Sequence, residues 1–283
     1  MGAAPFPLRL HEAFVGTFSV DGCVQNRKGT MKKMFRQLAV RFGYSLIASG
    51  IKLPDTQVKL IEDFLARLYL RDLLKRLEIN CVLDVGAQNG SFARNLRWSG
   101  YDGQIIAFEP NREEFLPLCE RFKSDSRWTG LNIALGRENG TQTFNIAKNS
   151  LYSSFLTPKT AKIDRTYEVE VKRLDSIFDE LIRHVNNPRV FLKVDTQGYD
   201  LEVVKGADAC IAKILLLQSE VSVQPIYDDM PHYLDSLSYY ESLGFQLLDL
   251  FTVLRGKKYG NIIEYDCLMA RLEEATAVGY GGH

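Results

Sequence analysis

Carboxylates that close short apolar runs are the residues with the clearest chemical content. Val82-Leu83-Asp84-Val85 runs into Gly86-Ala87-Gln88-Asn89-Gly90 and then Ser91-Phe92. This reads as a buried strand, a turn of small residues and a helix start. Gly86 lets the chain turn tightly, and Gly90 lets a ligand lie close to the backbone. About 20 residues on, Ala107-Phe108-Glu109-Pro110-Asn111 repeats the arrangement with Glu109 at the strand tip. A carboxylate there can accept both hydroxyls of an adenosine ribose. Two cofactors use such a site. A dinucleotide places a pyrophosphate on the helix N-terminus, usually at GxGxxG, but Gln88 stands where the second glycine would be. S-adenosylmethionine (SAM) carries no phosphate, and the Asp-x-Gly-x-x-x-Gly form of Asp84 to Gly90 suits it. The same small residues also occur where a strand–helix turn merely needs close packing.

Two more acids follow the same logic. Asp195 closes Phe191-Leu192-Lys193-Val194, and Glu220 closes Leu217-Gln218-Ser219. Open α/β sheets place ligands at the carboxyl ends of their strands, so both are candidate site residues. Lys193, two places before Asp195, shares its sheet face and can pair with it. With Asp228 and Asp229 these acids offer oxygen ligands for Mg²⁺, but acids at strand ends are common and the pattern does not favour a metal.

The elements that must position these groups alternate. Strands are expected at 81–86, 104–109, 131–135, 190–195, 213–221, 245–251 and 262–270. Helices are expected between them, near 91–98, 112–123, 175–183, 199–207 and 232–242. Residues 141–147 and 167–171 read as edge strands. Alternation of this kind implies a parallel sheet covered on both faces. Only the turn region 255–261 separates the last two strands, so they should pair antiparallel. The expected fold is therefore α/β, a class I methyltransferase (Rossmann-like) layout with a mostly parallel seven-stranded sheet, an antiparallel last strand and N-terminal helices. Apolar spacing predicts helices over 31–49 and 56–77, the second with Val58, Ile61, Phe64, Leu65, Leu68 and Leu73 on one side. Residues 1–30 read as a loose tail, 31–79 as a helical extension and 80–283 as the main domain.

From about residue 80 to 270 the chain resembles the FkbM family of SAM-dependent methyltransferases. The blocks are VLDVGAQNG, AFEPN, LNIALG, FLKVDTQGYDLEVVKGA, the E-x3-Q-P-x-Y segment and YDCLMAR, of which the fourth is the most specific. Many members have Glu where this chain has Gln197. The resemblance implies O-methylation of hydroxyls on sugars or glycosylated small molecules. It implies that Asp84, Gly86, Ala87, Asn89 and Gly90 line the methionine end of SAM, that Glu109 holds the ribose and that Asn132, Ile133 and Ala134 follow the adenine edge. It places Asp195 between cofactor and acceptor. A sugar hydroxyl must lose its proton during attack, so a base is needed. The candidates are Asp195, Glu220 and His232, with Asp195 the first choice. Tyr152, Ser153, Ser154 and Phe155 form a loop suited to closing over an acceptor.

Composition bounds the alternatives. The 283 residues are 46% hydrophobic and 25% charged, with 35 Lys/Arg against 35 Asp/Glu, which is ordinary globular composition. Zero net charge gives no whole-molecule field for nucleic acid, and no nucleic-acid partner is expected. Residues 1–80 carry 13 Lys/Arg against 7 Asp/Glu, so a basic N-terminal segment could meet an acidic partner or a membrane surface. Five cysteines without paired spacing read as buried free thiols, which suits a cytoplasmic protein. No run approaches a membrane span, and the N-terminus lacks a signal-peptide core. The apolar side of the 56–77 helix either packs on its own sheet or makes a homodimer. An NAD-dependent oxidoreductase and a non-catalytic SAM-binding scaffold remain as other readings. Gln88 and the lack of a Tyr-x3-Lys couple count against the oxidoreductase.

Overall fold

The computed structural model describes residues 55–272. The expected 1–30 tail and 31–49 helix lie outside them. The chain divides into two units at Val58/Lys59, and the second carries the sheet.

Helix α1 (Asp55–Arg76) leads into β1 (Cys81–Val85), α2 (Ser91–Trp98), β2 (Gln104–Phe108), α3 (Arg112–Phe122) and β3 (Trp128–Leu131). Then come β4 (Ala134–Leu135), β5 (Gly140–Ala147), β6 (Ile163–Lys172), α4 (Leu174–Ile182) and β7 (Val190–Val194). The chain continues through α5 (Asp200–Lys205), β8 (Ile214–Ser222), α6 (Tyr233–Ser242), β9 (Gln246–Arg255) and β10 (Ile262–Ala270). The main sheet has seven strands in the order β3-β2-β1-β7-β8-β10-β9. Its β1, β2, β3, β7 and β8 pair parallel, whereas β10 runs antiparallel to both β8 and β9. The final hairpin therefore folds back and inserts its last strand inside the sheet, leaving β9 at the edge.

Burial explains why the central strands are apolar apart from Asp84 in β1 and Lys193 in β7. All five residues of β1 and all five of β7 are buried, because helices cover both faces. Leu83, Val85, Leu192, Val194 and Leu217 point into one core with Phe178 and Val203. Val82, Phe191, Leu216 and Leu268 point into the other, with Ala93, Leu96 and Leu118.

Two expectations need correction. The run 131–135 is not one strand: Trp128–Leu131 joins the main sheet, while Ala134–Leu135 joins a separate three-stranded sheet, β4-β6-β5. Asn132 breaks the run by turning its side chain onto the backbone carbonyls of Glu109 (2.8 Å) and Pro110 (3.1 Å). Helix α1 also does not bury one continuous side. Leu74 is buried and Leu70, Leu73 and Leu77 pack on the core, but Ile61, Phe64 and Leu65 are exposed. Residues 60, 61, 64 and 65 share one side of the helix, whereas Leu70, Leu73, Leu74 and Leu77 occupy a different side, and only that second side packs on the core. Cys81, Cys210 and Cys267 are buried free thiols and Cys119 is a partly buried one, whereas Cys23 lies outside the described residues.

Candidate functional site

A cavity with about 260 Å³ of free volume opens over the carboxyl tips of β1, β2 and β7. Gly86 sits at the β1 tip with φ +76, a conformation L side chains avoid. A Cβ at Gly86 would stand 1.9 Å from the carbonyl oxygen of Asp195, so the β1 and β7 tips touch backbone to backbone. Gly90, where a ligand's approach was expected, is instead packed against Leu118 and Phe122 of α3.

Glu109 follows β2 and is 5% exposed. Its carboxylate accepts the backbone N–H groups of Gln88 (2.7 Å) and Asn111 (2.8 Å), which aim it across the cavity. Each oxygen retains acceptor capacity for a ligand hydroxyl. Burial pushes this carboxyl up to about 7, although the two backbone N–H groups pull the other way. Asn111 caps α3 by accepting the N–H of Glu113.

The β7 tip carries the polar centre of the site. Lys193 is 5% exposed, and its Nζ lies 3.1 Å from Asp84 Oδ1 and 3.5 Å from Asp195 Oδ2. Burial raises the Asp84 carboxyl and the Lys193 charge opposes that rise. Burial alone would lower the Lys193 ammonium, but the charges of Asp84 and Asp195 outweigh it and hold it above its ordinary value. The Asp195 side chain is 44% exposed and faces the cavity. Gln197 donates from Nε2 to Asp195 Oδ1 (3.2 Å) and Glu220 Oε2 (3.1 Å), and accepts the Tyr227 hydroxyl at 2.9 Å. Glu220 is buried, and desolvation first, then the Asp195 and Glu264 charges, pushes its carboxyl well up. Asp200 fastens the turn by accepting Thr196 Oγ1 at 2.9 Å and the Glu220 N–H at 3.2 Å.

Gly86, Ala87, Glu109, Ile133, Ala134 and Asp195 thus line one cavity. Asp84, Asn89, Gly90 and Asn132 do not line it. Asn89 accepts the Ser91 N–H at 2.9 Å and so shapes the start of α2. Glu220 meets the lining through Gln197, and His232 precedes α6 outside it, its ring 4.6 Å from that of Tyr233. In the loop after β5, Ser150, Leu151, Ser153 and Phe155 line the cavity, while buried Ser154 donates to the Gln197 carbonyl at 2.8 Å. Asp228 and Asp229 are exposed on the loop before α6. Among the described residues no three metal-ligating side chains converge.

Sequence reasoning missed Gln218 and Asp266, which line the far end of the cavity from β8 and β10. Asp266 pairs in register with Glu220, so only the insertion of β10 beside β8 brings it there. Burial, and next the Asp195 charge, pushes Asp266 up to about 7.

A doubly covered parallel sheet with an inserted antiparallel strand, and a nucleoside-sized cleft at an acidic β2 tip, is the architecture of class I methyltransferases. The family model described as the methyltransferase FkbM domain matches residues 84–247, more than half of the chain, and the chain belongs to that family. It is a SAM-dependent methyltransferase. A curated relative, the 2-O-methyltransferase NoeI of Sinorhizobium fredii, is 23% identical over 196 residues, covering 64% of this chain and 76% of that protein. Among solved structures, magnesium protoporphyrin IX methyltransferase from Synechocystis is 11% identical, with 78% of this chain and 86% of that one covered and a TM-score of 0.43. Aeropyrum pernix fibrillarin is 12% identical, with 68% and 66% covered and a TM-score of 0.39.

Proposed function

We propose that the chain transfers the methyl group of SAM to a hydroxyl of a sugar or a glycosylated small molecule. The observation that carries this is the half-exposed Asp195 carboxylate at the β7 tip, in the same cavity as the ribose-accepting Glu109. The relative named as a 2-O-methyltransferase supports an oxygen acceptor.

The residues present fit the cofactor. Glu109 is oriented to accept the two ribose hydroxyls, Ile133 and Ala134 give the adenine an apolar edge, and Gly86 keeps the cleft floor free of side chain. SAM supplies a methyl carbon already bonded to a good leaving group, so catalysis rests on positioning and on removing one proton. Asp195 accepts the acceptor's hydroxyl proton at its exposed carboxylate. Gln197 holds Oδ1 of that carboxylate and leaves Oδ2 to Lys193 and the acceptor. Glu220 fixes Gln197 from the other side. His232 does not line the cavity.

The test is methyl transfer from deuteriomethyl-SAM to a panel of monosaccharides, oligosaccharides and aryl glycosides, read by mass spectrometry. A deuteriomethyl ether on a sugar carbon supports the reading. Transfer only to amines, or only to RNA included in the panel, contradicts it.

A further inference from the structure

We propose that Lys193 is the counter-charge for the methionine carboxylate of the cofactor, and that Asp84 is buried to hold Lys193 in place. The proposal rests on SAM occupying the cavity with its ribose on Glu109.

The sheet fixes the direction of the cofactor. Glu109 lies at the β2 tip, and β7 is two strands away in the order β2-β1-β7. At the usual strand spacing that is about 10 Å. A nucleoside held at β2 and passing over Gly86 at β1 therefore delivers its amino-acid tail to the β7 tip. The groups waiting there are Ser91, Asn95, Lys193, Asp195, Gln218 and Asp266.

Charge then selects the partner. Lys193 is the one Lys, Arg or His among the residues lining the cavity, and the other charged residues there are Glu109, Glu114, Asp195 and Asp266. Carboxylates repel a carboxylate, so the tail's negative end has one charged partner available among the described residues. An ammonium has three N–H donors. Two short contacts, to Asp84 Oδ1 (3.1 Å) and the Gly86 carbonyl (3.2 Å), use two of them. The contacts to Asp195 Oδ2 and the Val85 carbonyl are both 3.5 Å, too long to claim the third firmly. The Phe92 ring, 5.4 Å from Nζ, screens the remaining side.

Asp84 supports the same assignment. It is fully buried, does not line the cavity, and has no hydrogen-bond partner beyond its ion pair with Lys193. A buried ion pair adds little net stability compared with packed apolar residues. It does fix a charge in one position, which is what a site for a carboxylate requires.

Calorimetry on the full chain separates this role from a structural one. S-adenosylhomocysteine carries the amino-acid tail, and 5′-methylthioadenosine has the same nucleoside and sulfur without it. Lys193→Met should weaken the first about tenfold to a hundredfold, the worth of a charge-assisted hydrogen bond, and leave the second unchanged within about twofold. Lys193→Met alone strands the Asp84 charge and can unfold the chain. The Lys193→Met, Asp84→Asn double variant removes both charges and should show the same selective loss. Equal weakening of both nucleosides, or unweakened S-adenosylhomocysteine in either variant, overturns the proposal. A wild type that binds neither nucleoside overturns the cofactor placement beneath it as well.

Discussion

At the scale of single residues, four acids sit in different surroundings. Glu109 is buried and aimed by two backbone N–H groups, so replacing it by Ala removes the acceptor for both ribose hydroxyls. Two hydrogen bonds to a charged acceptor are worth about 3 kcal/mol or more together, so S-adenosylhomocysteine should bind at least about a hundredfold more weakly while the protein stays folded. The pH dependence follows from the same carboxyl, which burial raises to about 7. Ribose hydroxyls donate to the ionised form, so binding favours proton loss and affinity falls as pH drops below about 7. Calorimetry from pH 8 to 5.5 should show that slope in the wild type and its loss in Glu109→Gln. Asp195→Asn should keep cofactor affinity and lose about 10²-fold or more in turnover, measured by methyl transfer to the acceptor the panel identifies. Retained turnover removes Asp195 from proton transfer. Asp84, Glu109, Asp195 and Glu220 were all visible in the sequence, because Asp84 interrupts an apolar run and each of the others closes one. Their division into buried anchor, ribose acceptor, exposed base and buried support was not visible, because a side chain's depth depends on what covers it.

At the scale of elements, the turn after β1 does the positioning. Gly86→Ala puts a methyl group against the Asp195 carbonyl in a backbone conformation L residues avoid. Strain alone costs about 1–3 kcal/mol, and separating the β1 and β7 tips adds to it. Gly100→Ala, also at positive φ but with nothing within 4 Å, carries only the first part. Thermal unfolding should therefore show the larger drop for Gly86→Ala, and only that variant should lose S-adenosylhomocysteine binding. Periodicity located α2 at its observed bounds and most strands within a residue or two, since their apolar runs are bounded by glycine and polar residues. It failed at 131–135, where Leu131 and the Ala134–Leu135 pair belong to different sheets and only the Asn132 side chain marks the break. It also gave no sign that β10 inserts beside β8, because antiparallel pairing of two strands does not say which becomes the edge.

At the scale of the whole molecule, the acids converge on one cleft, yet no three of the described residues are arranged to ligate a metal. No helix among the described residues is long and apolar enough to cross a membrane. The basic excess read from residues 1–80 falls largely outside the described part of the chain. The measurement that bears most directly on the account is calorimetric titration of the wild-type chain with S-adenosylhomocysteine and, separately, with NAD. Saturable one-to-one binding of S-adenosylhomocysteine with no response to NAD is the predicted result. Binding of NAD with no response to S-adenosylhomocysteine would contradict it.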